Sequence, residues 1–427
     1  MKKFIFLFVT VLLMTCVLLT ACGSDKNKND ASDTTATQQE TTGKPVTDAV
    51  TDTQSEDTTG SPESDESTDS ESETDETTES VPETEPEEPE EDPIEEEDVN
   101  PHIVPKYVNP LTGLATKIDV SQKRPVAIMV NNIGVSLPQV GIGQADVMFE
   151  CLAEGGITRL MMLSTYYENF KKVGSVRSAR DYYIDYSDGY NAIFIHAGGS
   201  PYAYDTIYYR GTNNIDGVNG PAALYYSLST FMRDPDRLAQ FAAEHTLVVK
   251  DGQGLVNAID YYGYSTQKTP GYEEPMHFVE YGTKTVYDNK ATHAKVVVSG
   301  YQTVDYVYNE DEGRYYRYQY NGMPHIDAST GEQLSFKNVV VMFTYTADIP
   351  GDDKSRIDIG TTGTGSGWYI TEGSYTKITW RKDTSSSVLK FYYEDGTEVE
   401  MNRGKTMINV VPTYNADYVT FDNEWNG

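Results

Sequence analysis

Three groups of residues in this chain are of types, and at spacings, that do chemistry. The segment Val176-Arg177-Ser178-Ala179-Arg180-Asp181 opens a stretch of helical character, with Ser178 placed to cap and Asp181 three residues on. A helix start presents unpaired N–H groups and positive potential, and two guanidiniums beside it would bind phosphate or carboxylate in bidentate fashion. The same arginines could instead pair internally with Glu150, Glu154 or Asp181, and both readings stand. His196 ends an apolar run and precedes Gly198-Gly199-Ser200-Pro201, a strand–turn–helix arrangement where α/β folds place ligand groups. A histidine there could act as a general base near Ser200 or Ser178, or serve simply as hydrogen-bonded structure. Glu150, Glu154 and Arg159 flank a Glu154-Gly155-Gly156 turn, and a carboxylate pair at glycosidase separation would support glycan cleavage.

The elements that must position these groups are readable from periodicity. Pro125–Asn132, Val147–Ala153, Thr158–Tyr167 and Asn191–His196 are apolar, strand-length runs. Ser178–Tyr190 has tyrosines at 182, 186 and 190 on one helical stripe; Asp234-Pro235 starts a helix to about Glu244, and a further helix is expected over 254–262. Residues 109–283 thus form an α/β domain. From 284 to 421 short strands alternate with turn signals such as Asn321-Gly322 and Asp395-Gly396, predicting a mostly antiparallel β domain. The fold class is therefore mixed α+β, an α/β domain followed by a β domain.

Composition sets the location. The chain has 427 residues and a formal charge of −33, of which residues 23–108 carry 28 acidic against 4 basic side chains. That Ser/Thr/Glu/Pro segment lacks the apolar residues to form a core and is expected to be a disordered tether of roughly 50 Å root-mean-square span. Ahead of it, residues 1–22 show two lysines, an apolar run and Leu19-Thr20-Ala21-Cys22, the pattern of a lipoprotein signal peptide with acylation (palmitate or a similar chain) on Cys22. This places the protein on the outer face of a Gram-positive cytoplasmic membrane, held by lipid. The acidic balance excludes nucleic acid as the default partner. Cys151, the one cysteine of the body, reads as a small buried hydrophobe. Gly363-x-Gly365-x-Gly367 reads as a turn or bulge, and no Walker, HExxH or EF-hand pattern occurs. His325 with Asp327 is too small a set for a metal site, so neither metal nor cofactor is expected. The 33 tyrosines, 32 of them after residue 108, fit half-buried strands or an aromatic binding surface.

Longer strings carry a resemblance. Asn109-Pro110-Leu111-Thr112-Gly113-Leu114, Arg124-Pro125-Val126-Ala127-Ile128, Gln144-Ala145-Asp146-Val147 and Glu154-Gly155-Gly156-Ile157-Thr158-Arg159 resemble the YerB-like bacterial lipoproteins. So do Val173 to Arg180, Gly198-Gly199-Ser200-Pro201, Pro324-His325-Ile326-Asp327, Asn338-Val339-Val340-Val341 and Thr364-Gly365-Ser366-Gly367. The resemblance implies a two-module, surface-exposed lipoprotein of unassigned activity. Relatives tend to place a second acidic residue where this chain has Cys151. The expected role is binding of an anionic cell-envelope ligand, or of a partner protein, through Arg177, Ser178, Arg180, His196, Gly199 and Ser200 with Glu154 and Arg159 beside them. The alternative is a cell-envelope hydrolase using His196 and a carboxylate on a glycan or polyanion.

Overall fold

The computed structural model describes residues 104–224 and 226–425, all within one compact unit. The leader with Cys22, and the tether up to residue 103, lie outside the described residues.

Fourteen strands carry the argument. The first half supplies β1 (Val126–Asn132), β2 (Val147–Leu152), β3 (Thr158–Ser164), β4 (Ile193–His196) and β5 (Asn214–Asp216). The second supplies β6 (Asn289–Lys290), β7 (His293–Val297), β8 (Thr303–Asn309), β9 (Arg314–Gln319), β10 (Asn338–Thr344), β11 (Gly363–Thr371), β12 (Ser374–Lys382), β13 (Thr406–Pro412) and β14 (Thr420–Asp422). Three helices matter here: α1 (Asp181–Gly189), α2 (Pro201–Arg210) and α3 (Gly252–Tyr262). The apolar runs predicted as strands all fold as strands, and the hairpin at Glu154-Gly155-Gly156 forms as expected.

An eleven-stranded mixed sheet runs through both halves, in the order β6-β12-β11-β10-β13-β2-β3-β1-β4-β5, with Lys390–Tyr392 added on β12. The halves join where β2 and β13 pair in parallel, from Val147 opposite Thr406 to Cys151 opposite Val410. Strands β1, β2, β4, β5, β10 and β13 run in one direction. Their carboxyl ends, from Asn132 to Pro412, therefore lie along one edge of the sheet.

Each face has its own cover. Side chains alternate along a strand, so Phe149 and Cys151 of β2 point one way and Glu150 the other. On the first face lies α1, whose tyrosine stripe packs on β2: the Phe149 ring lies 4.9 Å from Tyr186 and 5.8 Å from Tyr190. Those tyrosines are core, not a binding surface. Over the opposite face lies a second sheet, ordered Met323–Pro324, β9, β8, β7, β14, with Ser335–Phe336 against β9. Its inward residues Ala294, Val296, Val304, Tyr306 and Tyr315 are fully buried. The C-terminal half thus extends the central sheet and also covers it.

Three local expectations change. Helix α1 starts at Asp181 with Arg180 at its cap position and no side-chain cap, so Ser178 and Asp181 do not form a capping box. The segment after Asp234 makes one helical turn, Pro235–Leu238, before a 3₁₀ turn at Ala243–His245. Leu238 is exposed there, so no apolar face holds a longer helix. Gly363 opens β11 and Gly365 and Gly367 are interior to it, where it pairs with β12 without a break. A Cβ on Gly365 would stand 2.5 Å from the Trp380 indole nitrogen, and one on Gly367 2.5 Å from the Val341 carbonyl, so close packing rather than a turn requires these two.

Candidate functional site

The carboxyl edge of the central sheet gathers the residues singled out above. Strand β2 ends and turns at Glu154, and β3 starts beside it with Arg159. The segment 177–180 is stitched to the loop after β4: Ala197 N–H donates to the Arg177 carbonyl at 3.0 Å, Ala179 N–H to Gly198 at 2.9 Å, and Ser200 N–H to Ala179 at 3.2 Å. Glu154, Arg159, Arg177, Ser178, Arg180, His196, Gly199 and Ser200 are thus brought to one place by backbone pairing.

Within that place their roles separate. Glu154 is clasped by two guanidiniums, Arg159 at 3.2 Å and Arg180 through a short Nε contact of 2.5 Å and an Nη2 contact. Arg159 also donates to the Ser178 carbonyl at 2.7 Å and Arg180 to its neighbour's carbonyl, Ala179, at 2.6 Å. Burial pushes Arg159 down to about 10, with repulsion from Arg180 adding to it and Glu154 opposing. Burial would raise the Glu154 carboxyl, yet the two arginines outweigh it and hold it below the usual carboxylate range. Arg177 stands apart, half-buried, with Nη1 on the Glu244 carbonyl at 2.9 Å. Asp181 sits near the cluster, but burial and the charges of Asp185 and Asp358 raise its pKa.

His196 and Ser200 are used by the fold. The imidazole is fully buried, with Nδ1 2.8 Å from the Gly198 carbonyl and Nε2 3.1 Å from Asn214 Oδ1. Neither ring nitrogen is left to move a substrate proton. Asp216, 3.9 Å away, accepts from the Gly198 and Val218 N–H groups at 2.8 Å and from the Tyr204 hydroxyl at 2.8 Å. Burial would raise its pKa, but His196 and the donors Gly198, Asn219 and Val218 prevail and lower it. Ser200 caps α2 by accepting from Ala203 N–H at 3.0 Å. Its hydroxyl is 3 % exposed at residue level, which removes it as a nucleophile. Cys151 is likewise fully buried, and burial pushes its thiol far up, so it is inert as anticipated.

A second cluster was not anticipated as a unit. Glu150, Arg317, His325, Gln139 and Asn132 close a ring of hydrogen bonds between the central sheet and the sheet that covers it, each residue at most 1 % exposed. Arg317 donates to Glu150 Oε2 at 2.7 Å and to His325 Nδ1. His325 Nε2 donates to Gln139 Oε1 at 2.9 Å, Gln139 to Asn132 Oδ1 at 3.0 Å, and Asn132 to Glu150 Oε1 at 3.0 Å. Burial and the adjacent guanidinium drive His325 well below its ordinary pKa, as an accepting Nδ1 requires. Next to it, Asp327 accepts from the N–H groups of Gly141 and Gly143 at 2.8 and 2.7 Å. The Pro324 to Asp327 string therefore binds one half of the chain to the other. The signal was present in Arg314–Gln319, where Tyr315, Arg317 and Gln319 share the inward register.

No group of three or more metal-ligating side chains is assembled among the described residues, and none of their helices is long and apolar enough to cross a membrane. Comparison with known proteins agrees with the two-part layout. The sequence profile described as the N-terminal domain of a protein of unknown function (DUF3048) matches residues 111–264, and the profile of its C-terminal domain matches 294–408. The chain is 28 % identical over 324 residues to the Bacillus subtilis protein named "Putative lipoprotein YerB", covering 75 % of this chain and 91 % of that one. The crystal structure of YerB from Bacillus subtilis superposes with a TM-score of 0.62 at 26 % identity, over 74 % of this chain and 99 % of the other. With both modules matched in order and the fold shared, the chain belongs to the two-module YerB-like family of unknown function.

Proposed function

We propose that the protein is a lipid-anchored extracytoplasmic binding protein, held by Cys22 on the outer face of the membrane, whose carboxyl-edge arginine cluster takes an anionic group of a cell-envelope molecule. The observation that carries this is Arg159 and Arg180 clasping a single carboxylate, Glu154, with the guanidinium of Arg177 held nearby on the Glu244 carbonyl, at the edge where parallel strands end. Arg159 and Arg180 set up the positive field, and the half-buried Arg177 supplies donors that a phosphate or carboxylate could reach. Gly198 and Gly199 leave the adjoining loop without side-chain bulk.

The hydrolase reading loses its base, because His196 is hydrogen-bonded at both nitrogens inside the fold. The lowered Glu154 is a poor proton donor at neutral pH as well.

The test is a thermal-shift titration of the full chain with inorganic phosphate, polyphosphate, teichoic-acid fragments and muropeptides, repeated with Arg177→Ala. A ligand at a hundred times its Kd should stabilise the native state by about 2.7 kcal/mol, and the variant should lose most of that. A stabilisation of equal size in the variant would remove the cluster from the binding account. If no anion in the panel stabilises the wild type, the proposal fails.

A further inference from the structure

The covering sheet has an outer face of its own, turned away from the central sheet, and that face carries a pocket. On β7 and β8 the inward residues are apolar, so His293, Lys295, Thr303 and Asp305 point outward by alternation. Pairing of β7 with β14 sets Asp422 opposite His293, and pairing of β8 with β9 sets Tyr318 opposite Asp305. These residues, with Asn321, Glu424 and Trp425, border a concave pocket of about 440 Å³, an ordinary size for a ligand site.

We infer that this pocket binds a neutral oligosaccharide. Trp425 supplies the platform. Its ring packs against Tyr318 at a 44° tilt with centroids 4.2 Å apart, and it remains partly exposed, so the indole is held in place by a neighbouring ring while it lines the pocket. A sugar ring offers an apolar C–H face to such a plate and hydroxyls at its rim. Each hydroxyl both donates and accepts, and the wall provides both kinds of partner: Asp305, Asp422 and Glu424 accept, while Lys295 and Asn321 donate.

His293 makes the wall a built one. The residue is 7 % exposed, its Nε2 is fixed on Asp305 Oδ1 at 2.8 Å, and its Nδ1 has no hydrogen-bond partner, the nearest carboxylate oxygen of Asp422 being 3.8 Å away. A buried, oriented and unpartnered ring nitrogen beside a pocket is a group a ligand would satisfy. Charge selects among ligands. Three carboxylates against one lysine disfavour the anions that suit the arginine cluster, so the two sites take different chemistry.

Isothermal titration calorimetry on the full chain in a polyoxyethylene detergent tests this, with the tetrasaccharides of β-1,4-linked N-acetylglucosamine and of β-1,4-linked glucose as probes. Saturable binding of at least one, with Kd below about 1 mM, is expected. Trp425→Ala should abolish it, Asp305→Asn should weaken it about tenfold or more, and Arg177→Ala should leave it unchanged. Circular dichroism of each variant establishes that it is folded. No heat from either sugar up to about 10 mM would overturn the inference. So would unaltered affinity in Trp425→Ala, or tetramethylammonium binding at the pocket in place of both sugars, which would identify a cation site.

Discussion

Cutting the buried ring on one side should cost far more than removing both of its charged members. Glu150 and Arg317 are each wholly inaccessible and 2.7 Å apart, one on a first-half strand and one in the covering sheet. In Arg317→Met, Glu150 keeps the donors Asn132 at 3.0 Å, Thr158 at 2.6 Å and Gln302 at 3.0 Å but loses the guanidinium that neutralises it. His325 Nδ1 loses its donor at the same time. An uncompensated buried charge costs about 3–5 kcal/mol, whereas replacing both partners with apolar residues of similar volume is often close to neutral. Arg317→Met and Glu150→Met should therefore each lower stability by about 3–5 kcal/mol, and the double variant by less than either, a coupling of several kcal/mol in the cycle. At about 2–4 °C per kcal/mol for a chain of this size, each single variant should melt roughly 6–20 °C lower. The assay is urea unfolding followed by circular dichroism, with thermal melts in parallel. Additive losses, or single losses under about 1 kcal/mol, would refute the claim that the ring holds the halves together.

Other expectations are quicker to check. Gly365→Ala should cost about 2 kcal/mol or more, because the new methyl meets the Trp380 indole and the Phe343 carbonyl at 2.5 and 2.7 Å; a normal melting temperature would refute it. Arg180→Ala should destabilise by about 1–3 kcal/mol by leaving Glu154 with one partner, while Arg177→Ala should change stability by under about 1 kcal/mol, and chemical denaturation separates the two. Lys382 is buried with its ammonium on the carbonyls of Thr384, Ser385 and Ser387, and burial pulls it down to about 8 against the support of Asp185 and Asp188. Its folded pKa lies below its unfolded value of 10.5, so the unfolded chain binds the extra proton between those limits. Wild-type stability relative to Lys382→Met should consequently rise from pH 8 towards 10.5, by an amount on the order of 3 kcal/mol, and a flat difference curve would remove the lysine from the account.

Element types were legible in the sequence because the apolar runs are long and uninterrupted, and the tyrosine stripe of α1 found its core partner in Phe149. What periodicity does not encode is which strand pairs with which across 250 residues. The parallel seam between β2 and β13 depends on packing along both strands at once, so the change in composition near residue 284 reads as a boundary while the sheet continues through it. The site shows the same division. Backbone pairing brings Glu154, Arg159, Arg177 and Arg180 together as their types suggested, but it also spends His196 and Ser200 on holding the loop that carries them. The strings that resemble the family fall on the same side of that division. Arg124 donates to the carbonyls of Asn191, Ala192 and Ser265, Asp146 accepts from Thr165 N–H, and His325 and Asp327 tie β1 and its following loop to the covering sheet. Recognisable motifs in this chain therefore mark joints of the fold. Arg177 sits inside one of these strings, its backbone paired with Met129 and Ala197 while its guanidinium reaches the Glu244 carbonyl, whereas Trp425 lies outside them, on the terminal segment beyond β14.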